Sequence, residues 1–515
     1  MADADIELVA AQLREAVARS DVDEIGQIIT EHLGDLMLHD MENVLASVAD
    51  IEIRVAVRYP ALAVFHRHRS MLARYVPKGS PLPQFTGKGR LRWVYAMAFL
   101  RAIGRIDAAQ GCARRLADDT GKSIASDETA RSAGYEWLVW FQMGLTRLAA
   151  GDLLQASDDL GTAYSFVRVR SNGRVADAAQ LTSGYRAFVA ALMGNTVVAR
   201  HNLARIDTKQ SDVGNRFWAL RMTTRAIVEV EEHTDESGEA VAALDLIDEQ
   251  DAFWPFVLLA RTRYAELVGR PLDSLAFIEA AQVRNAPSVG SLAYDILVAR
   301  HIEVLIVLGR LNAARTVYEE EALDAPHCRL AYLALLLGEL DYRALERATE
   351  VTVASPKLSP AQRVQAQALG AMGMLARDGV VPDYVAPGLA HALSQRAHRR
   401  IALMFPPVFR EVLAPYLLPD AIDDWRSSKL NIRLWNRGAG DFLESAAFPK
   451  LTPRELTMLR HIEAGHSYGQ IADGEHVSVN TVKSHLKTLY RKLGASNSED
   501  AIASARRWGL LDEAG

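Results

Sequence analysis

The sequence predicts an all-α protein: a long array of helical hairpins followed by a compact four-helix module. Three observations carry that expectation. From the N-terminus to residue 425, apolar residues recur at three- and four-residue spacing, and alternating strand patterns are few. A glycine-centred phrase punctuates that stretch. Near the C-terminus, four short segments open on capping residues, and glycines close most of them.

A chain of 515 residues is too long for one compact core and implies several domains or a repeat array. Apolar and charged residues, at 49 % and 24 %, stand in the proportion of a soluble globular protein. Cys112 and Cys328 lie far apart and form neither a disulfide framework nor a metal-ligand spacing, which points to a reducing cytoplasm. The opening "MADADIELVAAQL" lacks the basic-then-apolar pattern of a signal peptide. The longest apolar run, "LAYLALLLG" from Leu330, is about half of a membrane span, so no membrane partner is expected. Net charge is −6 overall, yet from Lys450 onward nine Lys/Arg face eight Asp/Glu. The large part is therefore no general nucleic-acid binder, and any DNA contact must come from a local basic surface.

The phrase in the array is a Gly, a polar residue, an aliphatic residue and an Ala shortly after. It occurs as "GRIDAA" at Gly104, "GDLLQA" at Gly151, "GNTVVA" at Gly194, "GRPLDSLA" at Gly269, "GRLNAA" at Gly309 and "GELDYRA" at Gly338, with a degenerate copy near Glu232. Gly closes one helix in the left-handed conformation, the aliphatic residue pins the next helix, and the small Ala lets the two approach. Such a hairpin cannot bury its apolar face alone, so copies stack. The phrase resembles the inter-helix turn of the tetratricopeptide repeat, most fully at Gly151, where Ala163 supplies a second small residue. Residues 1–425 are thus expected to form a tetratricopeptide-like sensor or interaction domain. Its concave surface would suit a small molecule, a peptide or a protein. The acidic run "EVEEHTDESGE" from Glu229 reads as a solvated turn. The basic, proline-containing stretch from Arg67 to Trp93 reads as a solvated loop around Val76 to Arg90.

Residues 426–449, with their paired serines, Gly438 and Gly440, read as a linker in which Trp435 anchors on a neighbour. Residues 450–515 follow as a separate module. Thr452, Pro453 and Glu455 make a capping box with a pre-set first turn, and Ser467 with Gln470 makes a second. Ser478 opens a third helix that ends at Gly494, and "SNSEDAIASARRWG" forms a fourth. The third helix has two faces. Val482, Leu486, Leu489 and Leu493 make a core stripe. Asn480, Lys483, Ser484, Lys487 and Arg491 line the other side, with no acid among them. These residue types donate to phosphates and base edges, and a helix of this kind behind another helix and a tight turn is the helix-turn-helix arrangement.

"LTPRELTMLRHIEAGHSYGQIADGEHVSVNTVKSHLKTLYRKLGASN" resembles the LuxR-type DNA-binding domain, through L-T-x-R-E, I-A, T-V-K-x-H-L and Y-R-K-L-G at the family spacing. That resemblance implies that the third helix enters the major groove of double-stranded DNA. Lys483, Ser484 and Lys487 would face bases, and Asn480, Thr481 and Arg491 the backbone. It further implies a homodimer packed through Ala501, Ile502, Ala505 and Trp508 of the fourth helix, and it leans toward activation, with contact to RNA polymerase, while leaving activator or repressor undecided. No catalytic or cofactor-binding constellation occurs in the residues, so neither an enzyme nor a cofactor is expected. Helical repeats ahead of such a domain are similar to the back half of the MalT-like LuxR regulators, without their nucleotide-binding module. One departure stands out. Glu475 occupies a usual core position, where it would turn to solvent or, pointing at DNA, weaken binding. That departure keeps open an interaction scaffold with a degenerate DNA-binding domain. "TGKS" at Thr120 echoes a phosphate loop, but Leu116 stands where the loop needs glycine, so ATP binding is not expected.

Overall fold

The computed structural model describes residues 3–39, 47–48, 51–56, 58–59, 62–63, 76, 91–120, 136–170, 176–206, 216–247, 251–285, 287–417, 451–493, 495, 497–507 and 511. Among them the regular secondary structure is helical throughout. The order is α1 (Asp3–Ala18), α2 (Val22–His39), α3 (Ile53–Ala56), α4 (Leu91–Ala102), α5 (Ile106–Thr120), α6 (Glu136–Ala149), α7 (Leu153–Arg170), α8 (Ala176–Leu192) and α9 (Thr196–Leu203). Then come α10 (Arg216–Glu232), α11 (Ser237–Ala242), α12 (Trp254–Leu267), α13 (Pro271–Arg284), α14 (Leu292–Val307), α15 (Leu311–Glu321), α16 (Pro326–Gly338), α17 (Tyr342–Val353), α18 (Pro360–Asp378), α19 (Ala386–Leu393), α20 (Arg399–Leu403) and α21 (Pro407–Leu413). The C-terminal module supplies α22 (Pro453–Glu463), α23 (Tyr468–Gly474), α24 (Val479–Leu493) and α25 (Ser498–Arg507). The expected linker, Trp435, most of the basic loop and Gly121 to Ser123 lie outside the described residues.

The chain forms two compact units. One comprises Met1–Tyr264, Ala276–Arg300 and Glu321–Cys328; the other comprises Ala265–Leu275, His301–Glu320 and Arg329–Gly515. In the first, α4/α5, α6/α7 and α8/α9 are antiparallel hairpins. α6 packs on α4, α8 on α7, and α10 on both α8 and α9. The core follows this stacking: Phe141 lies edge-on to Tyr185, and Phe188 to both Phe253 and Phe256, with ring centroids 4.6 to 5.4 Å apart. In the second unit α17 and α18 pair in the same way.

The turns follow the predicted chemistry. Gly104, Gly151, Gly194, Gly269 and Gly309 hold φ between 72° and 80°. The next residue of each turn (Arg105, Asp152, Asn195, Arg270, Arg310) donates its backbone N–H five residues back, at 2.7 to 2.9 Å. This satisfies a carbonyl that the helix end would otherwise strand. Five residues after each glycine sits a fully buried small side chain: Ala109, Ala156, Ala199, Ser274 and Ala314. The sixth copy departs from the reading. Gly338 ends α16 as an ordinary helical residue, and Leu340 takes the left-handed position at φ 62°. Asp341 then donates to Leu336 O, its carboxylate caps Ala344 N at 3.0 Å, and Leu345 fills the buried place. The glycine had been matched by letter, two residues too early.

The acidic run is a solvated turn only in its second half, where Asp235, Glu236 and Glu239 are exposed. Glu229, Glu231 and Glu232 are buried on α10. Arg200 of α9 donates to both oxygens of Glu229, at 2.8 and 3.0 Å, and to Glu232 at 2.8 Å. Arg263 of α12 donates to Glu231 at 2.6 Å. Neighbouring helices thus supply the cations without which such burial would be prohibitive. Burial alone would raise the Glu229 carboxyl, but Arg200 and the Thr234 hydroxyl hold it below its ordinary value.

Asp159 on α7 behaves oppositely. It is 2 % exposed; one oxygen accepts from Arg147 at 2.9 Å and the other has no hydrogen-bond partner among the described residues. Burial outweighs Arg147 and pushes the carboxyl up to about 7. The folded chain therefore keeps a proton that the unfolded chain, with a pKa of about 3.9, has released. Stability falls as pH rises from about 4 towards 7, by up to about 1.4 kcal/mol per unit, and levels off above that. Melting followed from pH 5 to 8 is expected to show this fall, and Asp159→Asn to flatten it.

Candidate nucleic-acid interface

The four C-terminal helices enclose a core of their own. Met458, Leu459 and Ile462 of α22, Ile471 and Ala472 of α23, the whole predicted stripe of α24, and Ala501 and Ala505 of α25 are all buried. α24 packs against each of the other three helices. Both capping boxes form. Thr452 Oγ1 accepts from Glu455 N and the Glu455 carboxylate from Thr452 N; Ser467 and Gln470 repeat the exchange. The turn between α23 and α24 is tight: His476 takes φ 55°, and Ser478 Oγ accepts from Thr481 N at 3.1 Å.

This packing leaves one side of α24 outward. Asn480, Lys483, Ser484, Lys487 and Arg491 are exposed together. Among the described residues, none of the three cations on this face has an acidic partner. Thr481 is half-buried, with its hydroxyl 2.8 Å from that of Ser478, so it belongs to the cap at the rim of the face. His485 is half-buried at the edge of the core, and among the described residues its ring has no hydrogen-bond partner.

The fourth cation of the helix does something else. Lys492 Nζ lies 2.6 Å from Glu455 Oε2, and the Glu455 side chain is only 5 % exposed. Burial would raise that carboxyl; Lys492 and the Thr452 N–H more than offset it and hold it below its ordinary value. The capping residue of α22 is thereby fastened to the far end of α24. The helical wheel carries the signal for this: Lys492 lies twelve residues after Asn480, about 120° around the helix from the outward face.

Glu475 turns neither to solvent nor to the outward face. It caps the C-terminus of α23 and reaches back to α22, with Oε1 3.1 Å from His461 Nε2 and Oε2 3.6 Å from Arg454 Nη1. Arg454 also donates to the Glu475 carbonyl at 3.3 Å. A polar link replaces an apolar contact, and the two helices stay joined. On α25, Ala501 and Ala505 point into the domain's own core, which leaves Ile502, half-buried, nearer the surface; the side chain of Trp508 lies outside the described residues.

With this geometry in place, the comparisons identify the C-terminal module. Residues 449–505 match the family model described as bacterial regulatory proteins, luxR family. The C-terminal module is a luxR-type domain. The chain is also similar to the HTH-type transcriptional regulator MalT of Yersinia enterocolitica, at 26 % identity over 40 % of this chain and 22 % of that protein. It is 31 % identical to the probable transcriptional regulatory protein NarL of Mycobacterium tuberculosis over 33 % of this chain and 65 % of that protein. In both cases the match spans less than two thirds of the relative. No solved structure matches significantly. Among the described residues, no helix is long and apolar enough to cross a membrane.

Proposed function

We propose that the chain is a sequence-specific transcription regulator whose luxR-type domain places α24 in the major groove. The observation that carries this is the exposed face of α24, where Lys483, Lys487 and Arg491 have no acidic partner among the described residues while the helix's other cation, Lys492, is fastened inward. Lys483, Ser484 and Lys487 contact base edges. Asn480 and Arg491 contact phosphates, and Thr481 holds the N-terminus of α24 against the backbone. The domain pairs on inverted half-sites through the Ile502 side of α25, since the two alanines there are already enclosed. The helical array binds a small molecule, peptide or protein and controls the domain through the segment 426–449. The likeness to MalT, a transcriptional regulator by name, supports the regulator reading.

The test compares the full-length chain with residues 446–515 on one duplex selected from a random pool. Tighter binding by the fragment, removed when the array is restored, is the expected result. Equal binding by both would sink control by the array.

A further inference from the structure

Several arginines of the array are matched by acids. Arg147 has Asp159, Arg200 has Glu229 and Glu232, Arg225 has Glu236 and Glu239, Arg261 has Asp245, and Arg263 has Glu231. Half-buried Arg186 and exposed Arg205 are not. Arg186 of α8 and Arg205, just past α9, converge on Tyr164 of α7, with guanidinium carbons 4.6 and 5.5 Å from the ring centroid. Arg205 Nη1 donates to the Tyr164 hydroxyl, and its Nη2 lies 2.9 Å from His201 Nε2. Arg186 Nη1 reaches Asn202 Oδ1 at 3.4 Å, and Asn202 is itself fixed by donating to Val198 O at 2.8 Å. Among the described residues neither guanidinium has a carboxylate.

Two positive charges on one aromatic ring repel each other. Burial and the nearby Arg205 both lower the Arg186 pKa, with burial the larger cause. An anion between the two guanidinium groups would relieve that repulsion. Most of the ten guanidinium N–H groups remain available, and a guanidinium fork fits the paired oxygens of a carboxylate or phosphate. We propose that Arg186 and Arg205, set on Tyr164, form a binding site for the oxyanion group of a small ligand, a carboxylate or a phosphate. The site deepens the proposed function, since it rests on the array being the part that holds a ligand.

Thermal melting of the full-length protein without DNA tests it. Sodium phosphate and sodium succinate are titrated separately into the millimolar range, with sodium chloride holding ionic strength constant. A saturable rise in melting temperature with phosphate assigns the phosphate class, and with succinate the carboxylate class. Arg186→Gln and Arg205→Gln are each expected to weaken that binding at least tenfold, while the anion-free variants melt no lower than the wild type. No saturable response to either anion overturns the site, as does a response that both variants retain in full. So does an anion-free loss of melting temperature in both variants, which would make the pair structural. Because DNA is absent, a chain that binds the anion but selects no duplex would keep the site and lose the regulator. The opposite pair of results would do the reverse.

Discussion

A chain carrying Lys483→Ala and Lys487→Ala is expected to fold normally and to lose specific DNA binding. Both side chains are exposed on α24 and have no acidic partner among the described residues, so their removal disturbs no packing. Alanine also suits a helix interior. A well-made base contact is worth roughly 1–3 kcal/mol. The double variant should therefore bind its site between about thirtyfold and about twenty-thousandfold more weakly. Anisotropy titrations against specific and scrambled duplexes would show the two affinities converging, with circular dichroism unchanged. Arg491→Ala, acting on phosphate, should weaken both about equally and lower the log–log salt slope by about 0.9. Undiminished discrimination in the double variant would place the base contacts elsewhere.

Glu455→Ala is expected to destabilise the luxR-type domain by about 2–3 kcal/mol. The change removes half of a capping box, orphans the Thr452 N–H, and leaves Lys492, whose side chain is 28 % exposed, without its counter-charge. The Lys492 end is wetter than the Glu455 end, which keeps the effect below that of a fully buried pair. Hydrogen exchange of the full-length chain reads this domain apart from the array. Segments 453–463 and 479–493 should exchange faster in the variant, and the array should not change. The pH dependence has a definite sign. A carboxyl held below its unfolded value of about 4.3 stabilises the fold above that pH. The contribution is lost as pH falls through the lower, folded value, so the wild-type domain should approach the variant in acid. Glu455→Gln keeps the acceptor for Thr452 and should fall between the two.

Much of the fold was legible in the residues because its signals are local. Thr452, Ser467 and Ser478 announce helix starts through their own hydrogen bonds, and Gly104 or Gly151 announces a turn through its own φ. The stripe of Val482, Leu486, Leu489 and Leu493 is read from spacing alone, and it fixes which residues of α24 face outward. What stayed hidden depends on partners distant in sequence. Glu229, Glu231 and Glu232 look like a solvated run until Arg200 and Arg263 arrive from other helices. Glu475 looks misplaced until His461 and Arg454 are seen beside it. The helical wheel sets Lys492 off the basic face, but its partner Glu455 lies 37 residues earlier and is found only in the fold. The fate of Ala501 and Ala505 was open for a related reason: a small residue on a helix suits a neighbour inside the domain as well as one across a dimer. Leu340 shows a different limit, since a turn defined by geometry need not carry the glycine that usually marks it.

The central claim, that α24 reads DNA sequence, meets its most direct test in a pool of random duplexes. The full-length chain and residues 446–515 would each be bound to the pool over a range of salt, and the retained DNA sequenced. The account predicts enrichment of an inverted repeat with two half-sites about one helical turn apart, absent when Lys483 and Lys487 are both alanine. Retained DNA without any enriched sequence, from both constructs and at every salt concentration, would contradict it.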